Sequence, residues 1–140
     1  MNKYAPICFF VYNRPDKTQI SLKSLEGNEL SKHSNLFIFS DGAKDNNLDR
    51  VNVNKVRSII KKAKNFNNIQ IIEREKNYGL YENFTQGITE ICNKFEKIIV
   101  IEDDNEVSKY FLNFINDGLN MYENESKVCA INAWFFPEKN

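Results

Sequence analysis

Short apolar runs alternate with longer stretches of helical period along this chain. The apolar runs predict strands at residues 7–12, 36–40, 69–73 and 97–101. The segments that separate them repeat apolar residues every three or four positions, as amphipathic helices do. Because strands that alternate with helices form βαβ units, the pattern predicts an α/β protein with a mostly parallel sheet flanked by helices.

Four helices are predicted, one after each strand. Asp16 is expected to cap the first, which runs to about Leu25 and ends at Gly27, and Ser108 is expected to cap the fourth. The expected core-facing residues are Val56, Ile59, Ile60 and Ala63 in the second helix, Leu80, Phe84, Ile88, Ile91 and Phe95 in the third, and Phe111, Phe114, Ile115 and Tyr122 in the fourth. Residues 128–132 predict one more short strand.

The charge balance argues against polyanionic partners. The 140 residues include 19 Lys plus Arg and 19 Asp plus Glu, and neither sign forms a block, so no nucleic acid is expected to bind. The apolar runs fall far short of the roughly 20 residues that span a bilayer, and residues 1–6 do not resemble a signal peptide. We expect one domain, residues 1–140, without an integral membrane segment, in the cytoplasm or peripheral to the inner face of the membrane.

The cysteines and the histidine predict no catalytic arrangement. Cys8, Cys92 and Cys129 are odd in number, far apart and set among apolar neighbours, which predicts buried thiols rather than disulfides or zinc ligands. His33 is the only histidine and lies in a polar stretch, so it is expected in a surface loop. Neither Cys-His nor Ser-His-Asp catalysis follows from these residues.

An acidic triplet, Glu102, Asp103 and Asp104, comes directly after the fourth predicted strand. Adjacent carboxylates repel one another unless a cation neutralises them. One or two carboxylates, completed by waters and phosphate oxygens, suit Mg²⁺ or Mn²⁺ better than zinc. The triplet therefore predicts a divalent-metal site, and a solvated acidic turn that caps the next helix is the alternative.

Polar residues also follow the other predicted strands: Asn13 and Arg14 the first, Asp41 the second, and Arg74 the third. Because the carboxyl ends of parallel strands meet at one edge of a sheet, we expect these residues to converge on the triplet. The guanidinium groups of Arg14 and Arg74 suit a diphosphate, with a role as surface arginines as the alternative. Asp41, which precedes a glycine, suits either contact with a base or ribose or a turn-forming role.

The segment from Asn77 to Leu80 predicts a turn between the third strand and the third helix. Gly79 there permits close approach of the backbone at a helix N-terminus, which suits an anion. A single glycine is a weak signal, and the segment is not a phosphate-binding P-loop.

These clusters, in this order, resemble the GT-A glycosyltransferases. The stretch 99–134 looks like the N-acetylglucosaminyltransferase I type through V-I-E-D-D-N-E-V at 100–107, Y-F-L-N-F at 110–114 and V-C-A-I-N-A-W at 128–134. The segment with Asn77, Gly79, Asn83 and Gly87 looks more like the bacterial family-2 glycosyltransferases. The resemblance covers almost the whole chain, and the acidic triplet with its flanks is its specific part.

The resemblance implies a Rossmann-like GT-A nucleotide-sugar-binding domain that forms the N-terminal part of a longer enzyme. It implies transfer of a sugar from a nucleoside diphosphate sugar, UDP-linked, to a saccharide or other hydroxyl acceptor, with Mn²⁺ or Mg²⁺ as cofactor. The family-2 likeness implies bacterial polysaccharide biosynthesis or the synthesis of glycoprotein glycans. By the same resemblance Asp104 is the direct metal ligand, and Asp103 and Glu102 contact the sugar or support the metal. Arg14, within an N-R-P turn, lies near the nucleotide, and Asp41 contacts uracil.

Two other functions stay open. A nucleotidyltransferase that makes the sugar nucleotide also uses a metal, but it needs a glycine-rich basic loop after the first strand, which residues 13–16 do not provide. A non-catalytic binding domain would leave the acidic turn merely exposed. Trp134 and the two phenylalanines after it fit either stacking on a sugar ring or a place in the core.

Overall fold

Four parallel strands form one sheet in the computed structural model, which describes residues 4–134. The strands are β1 (Ile7–Val11), β2 (Asn35–Ser40), β3 (Asn68–Glu73) and β4 (Ile99–Glu102). The helices are α1 (Pro15–Glu26), α2 (Asn47–Ile60), α3 (Gly79–Phe95) and α4 (Phe111–Met121), and a 3₁₀ turn spans Ser31–His33. The predicted α/β class with a parallel sheet is confirmed, and the four main strands match to within two residues at each end.

The strand order is β3-β2-β1-β4. The chain moves outward from β1 to β2 and β3 and then returns to place β4 on the other side of β1, with Phe10 opposite Glu102. This is the order of a Rossmann-like sheet, whose ligand crevice opens where the direction of strand addition reverses. In this chain the reversal lies between β1 and β4.

The side chains of β1 alternate between two apolar layers. Ile7, Phe9 and Val11 pack with residues of α1, α2 and α4, whereas Cys8 and Phe10 pack against α3. Every residue of β1 is buried. A central parallel strand that is covered on both faces is continuously apolar, which explains why the sequence pattern identified it.

The start of α1 differs from the prediction. Pro15 occupies the first helical position, where its fixed φ suits the helix and its missing N–H costs nothing. Arg14 takes the cap position without a side-chain cap bond, so the prediction that Asp16 caps the helix is wrong. Asp16 lies within the first turn, where its charge still suits the helix dipole. The predicted end at Gly27 is confirmed.

The start of α4 is held by Asn28, from the loop after α1. Asn28 Oδ1 accepts a hydrogen bond from the N–H of Leu112 at 3.0 Å, and its amide donates to the carbonyl oxygen of Ser108 at 3.1 Å. Since α4 begins at Phe111, the prediction that Ser108 caps it is wrong. The cap comes from a residue 84 positions earlier.

Three residues that were predicted to face the core are exposed. Phe114 lies on the outer side of α4, away from the buried Leu112 and Ile115, whereas Tyr122 follows the last residue of α4. Leu80 lies in the first turn of α3, past the ends of the strands, so the sheet does not cover it. The remaining residues that were predicted to face the core are buried or partly buried.

The cysteines differ in exposure, although all three are free thiols. Cys8 is buried as predicted, Cys92 is partly buried, and Cys129 is exposed, so the prediction of a buried thiol is wrong for Cys129. Cys129 lies in an irregular segment that no sheet or helix covers. His33 is exposed, as expected.

The predicted strand at residues 128–132 does not form. The N–H of Val128 donates to the carbonyl oxygen of Glu125 within a turn instead of pairing with a strand, and Ile131 packs against Gly118 of α4. Trp134 is exposed, and the two phenylalanines after it lie outside the described residues. Among the helices described, none combines the length and the apolar character that crossing a membrane requires.

Candidate functional site

A cavity of about 380 Å³ opens at the carboxyl edge of the sheet, beside the reversal between β1 and β4. Its volume lies within the range of small-molecule sites. Most of the predicted site residues line it, namely Asn13, Arg14, Asp41, Asn77, Gly79, Glu102 and Asp103. The expected convergence of loops after different strands is therefore present in the fold.

Arg14 bridges the ends of β1 and β4. Its Nη2 lies 2.5 Å from Asp103 Oδ1 and its Nη1 lies 2.9 Å from Asp104 Oδ2. The Asp103 side chain is 3% exposed, whereas those of Asp104 and Arg14 are 42% and 48% exposed. One guanidinium thus joins a buried carboxylate of the cavity wall to the accessible carboxylate of Asp104, which is not among the residues that line the cavity.

Burial and pairing act against each other in this ion pair. Burial raises the pKa of the Asp103 carboxyl, and the charge and hydrogen bond of Arg14 offset only part of that rise. For Arg14, burial favours the neutral form, but the two carboxylates outweigh it and raise the pKa of the guanidinium. A second hydrogen bond, from the N–H of Tyr12 at 3.4 Å, also reaches Asp103.

Asp104 has the accessibility that a metal ligand needs. Arg14 engages its Oδ2, and Oδ1 has only a long contact of 3.5 Å with the amide of Asn105. Within residues 4–134 no three His, Cys, Asp or Glu side chains gather into a metal-binding group. A hard cation held by one carboxylate, with a bound phosphate supplying further oxygens, fits this donor set.

Asp41 organises the loop that enters α3. Its Oδ1 accepts from the N–H groups of Gly42 and Tyr78, both at 2.8 Å. Its Oδ2 accepts from the side-chain amide of Asn77 at 3.1 Å and from the N–H of Gly79 at 3.0 Å. Both oxygens are thus engaged, and the carboxylate satisfies N–H groups at the start of α3 that the helix cannot satisfy itself.

Gly79 is required by the backbone of this turn. Its φ is +78°, a conformation that L side chains rarely adopt, and no atom lies within 4 Å of the position that a Cβ would take. Because Asp41 already accepts from the N–H of Gly79, an anion at this helix end would compete with that carboxylate.

Arg74 is not among the residues that line the cavity, but it contacts one of them: its Nε donates to Asn83 Oδ1 at 3.2 Å. Its guanidinium carbon also lies 5.0 Å from the ring centroid of Tyr78. Arg74 Nη2 is buried and finds no hydrogen-bond partner in the described part of the chain. A buried polar N–H without a partner is costly, so an acceptor brought by a ligand would be stabilised there.

Several residues of the cavity were missed by the sequence analysis. Tyr12 and Lys44 line it, and Asp49 of α2 accepts hydrogen bonds from both. Phe10 and Phe84 also line it, with ring centroids 4.1 Å apart in a stacked arrangement. One signal was available for Asp49: it lies three residues after Asn46, which is the spacing of a helix N-cap and its third residue.

No protein-family model matches the chain, and no curated protein is similar enough in sequence to count as a relative. The fold and the cavity thus define a Rossmann-like α/β protein with a polar site at the reversal between β1 and β4.

Proposed function

We propose that this chain is the donor-binding part of a metal-dependent glycosyltransferase of the GT-A type. The donor in this proposal is a UDP-linked sugar, the cation is Mn²⁺ or Mg²⁺, and the acceptor is a saccharide or another hydroxyl compound. The observation that carries the proposal is the bridge from Arg14 to Asp103 and Asp104, beside a cavity at the reversal between β1 and β4.

The contact between Arg14 and Asp104 offers one group of each charge. The carboxylate of Asp104 suits a cation, and the guanidinium of Arg14 suits the phosphate oxygens of a diphosphate. Asp104 would hold the cation, which when bound withdraws electron density from the diphosphate leaving group. Arg14 is half-exposed and can turn its planar guanidinium from the carboxylates toward phosphate oxygens, which match it two at a time. Positive charge held in place where negative charge develops lowers the barrier to departure of the diphosphate.

The rest of the cavity suits the nucleoside and the sugar. Asp103 and Glu102 place carboxylate acceptors on the β4 side, where hydroxyl groups of a ribose or a sugar can donate to them. On the opposite side, Asp41, Asn77 and Gly79 form a hydrogen-bonded frame beside which the base would lie. A base between these walls exchanges its bonds to water for bonds to fixed polar groups.

Calorimetric titration of the chain with UDP, in Mn²⁺ and in EDTA, tests the proposal, with UMP as the matched control that lacks the second phosphate. We expect UDP affinity to rise about tenfold or more with Mn²⁺, because Asp104 would hold the cation and the cation would attract the diphosphate, and we expect UMP affinity to change little. Failure of UDP to bind in either condition would overturn the proposal.

The two alternatives give different results in companion assays. A nucleotidyltransferase would release pyrophosphate from UTP and a sugar 1-phosphate, whereas the proposed function predicts none. A non-catalytic binding domain without a nucleotide site would show no heat with UDP. Slow release of UDP from one member of a panel of UDP-sugars, dependent on Mn²⁺, would support glycosyl transfer specifically.

A further inference from the structure

Asp49 is a buried carboxylate that binds three residues on the β1 side of the cavity. It accepts hydrogen bonds from the hydroxyl of Tyr12 at 2.5 Å, from the side-chain amide of Asn13 at 2.5 Å and from the N–H of Lys44 at 2.6 Å. All three donor residues line the cavity, whereas Asp49 is not among the lining residues. Asp49 therefore acts on the cavity through its neighbours.

The role of Asp49 differs from that of an ordinary residue in a helix start. Its own N–H donates to Asn46 Oδ1, which is the usual capping bond of α2. Its carboxylate, however, receives all its hydrogen bonds from residues that lie outside α2. A carboxylate that served the helix alone would accept from the N–H groups of the first turn.

The ionised state of Asp49 fixes the direction of these hydrogen bonds. Burial alone would raise the pKa of the carboxyl, but the bonds from Tyr12, Lys44 and Asn13 outweigh burial and lower it. An ionised carboxylate can only accept, so the amide nitrogen of Asn13 must face Asp49. Asn13 Oδ1 then points elsewhere and accepts no hydrogen bond from residues 4–134.

We propose that Asp49 is a positioning residue that turns Asn13 Oδ1 into a fixed acceptor for a hydrogen-bond donor of the nucleoside. The inference rests on the proposed function, because it needs a nucleotide in the cavity. Two donors of a uridine nucleotide share the required chemistry: the 2′-hydroxyl of the ribose and the imide N–H of the base. With a neutral side chain at position 49, Asn13 could present either edge of its amide and would lose this preference.

The test compares binding of UDP, 2′-deoxy-UDP and CDP in Mn²⁺ to four proteins: the natural chain, Asp49→Asn, Asn13→Ala and Asp45→Asn. The first analogue lacks a ribose hydroxyl, and the second replaces the imide N–H with an acceptor. Asp45 is the matched control, because it lies four residues before Asp49, is exposed and pairs with Arg50 rather than with the residues that line the cavity. Thermal unfolding of each variant identifies a temperature at which all four are folded.

We expect the natural chain to prefer UDP about tenfold or more over one of the two analogues, and the analogue that loses affinity identifies the donor. Asp49→Asn and Asn13→Ala should each reduce that preference to about one, and Asp45→Asn should keep it. A purely structural role for Asp49 would lower the melting temperature without changing the preference.

Two results would overturn the inference while leaving the proposed function intact. In one, Asp49→Asn keeps the full preference of the natural chain. In the other, the natural chain binds UDP and both analogues equally well. Failure of the natural chain to bind UDP at all would instead overturn the proposed function, and this inference with it.

Discussion

Arg14 and Asp103 form an ion pair across the gap between β1 and β4, with 2.5 Å between Nη2 and Oδ1. The pair joins the two loops at the reversal of strand order, which is where a Rossmann-like sheet binds its ligands. Because Asp103 is almost completely buried, its charge depends on Arg14 for compensation. The same guanidinium also reaches Asp104, which is the metal ligand in the proposed function.

Replacement of Arg14 by glutamine should destabilise the fold. The variant leaves the buried carboxylate of Asp103 without a counter-charge, and we expect a loss of about 1–2 kcal/mol of unfolding free energy, because Arg14 is itself half-exposed and screened by water. Urea denaturation measures the change. Arg50→Gln is the control, since the Arg50–Asp45 pair is exposed and should contribute less than about 0.5 kcal/mol. Equal losses in the two variants would contradict this account of Arg14.

Asp41→Asn should loosen the start of α3. An asparagine keeps one acceptor but turns a donor toward two existing donors, so we expect a loss of about 2–3 kcal/mol. Amide hydrogen exchange should become faster at whichever of Tyr78 and Gly79 faces the new NH₂ group, because that N–H loses its acceptor. Unchanged exchange at these two amides would show that Asp41 does not hold the turn.

Gly42→Ala should be poorly tolerated, since an added Cβ would overlap the backbone of Lys76. Backbone atoms cannot rotate away as a flexible side chain can, so the loops after β2 and β3 would have to separate, at a cost of about 2 kcal/mol or more. Gly27→Ala is the control, because a Cβ there meets ordinary contacts at 3.6 Å. The melting temperatures of the two variants are compared. Similar values would show that the contact between Gly42 and Lys76 does not restrict the side chain at position 42.

The stability that Asp49 contributes should depend on pH. Its pKa is lowered in the folded chain, so its contribution is complete above the unfolded value near 4 and is lost as the pH falls through the folded value. Asp49→Asn should lower the free energy of unfolding by about 2 kcal/mol at pH 7, and the difference in this free energy between the variant and the natural chain should shrink below about pH 4. Urea denaturation at pH 7, 5 and 3.5 measures the difference. A difference that stays constant or grows in acid would be incompatible with a lowered pKa.

The strands and helices could be predicted because hydrophobic period is a local property. β1 is apolar throughout since it is covered on both faces, and α2 shows its buried side through Val56 and Ile60. The prediction of a strand at residues 128–132 was wrong because a strand also needs a partner strand, which a local pattern does not show. Here the chain turns at Glu125, and Ile131 packs on α4.

Helix starts were less predictable, because two of them depend on distant side chains. Asn28 caps α4 from 84 residues away, and Asp41 satisfies the start of α3 from 37 and 38 residues away. Local sequence pointed to Ser108 for α4 because serine is a common cap. A rule that examines four consecutive residues cannot find a cap that is supplied by another part of the fold.

The sequence predicted which loops form the site, but it did not predict the hydrogen bonds and ion pairs within the site. Parallel strands bring their carboxyl ends together, so Asn13, Asp41 and Asp103 were expected to converge. Which carboxylate would be buried was not predictable, since Asp103 and Asp104 are adjacent and chemically identical in sequence. The structure separates them by exposure, 3% against 42%, because only Asp103 turns into the cavity wall.

The proposed function requires Asp104 to bind a cation together with a nucleoside diphosphate. The most direct measurement is the thermal shift of the natural chain, Asp104→Asn and Asp117→Asn with UDP, with Mn²⁺ and with both. Asp117 is the control because it is an exposed aspartate on α4, away from the cavity. A ligand that binds only the folded state raises stability by about 2.7 kcal/mol at one hundred times its dissociation constant.

If the proposed function holds, UDP and Mn²⁺ together should raise the melting temperatures of the natural chain and of Asp117→Asn by more than the sum of the separate shifts. Asp104→Asn should retain its fold but lose this combined shift. The same combined shift in Asp104→Asn would contradict the role of Asp104 as the metal ligand. No shift of the natural chain under any condition would contradict it as well.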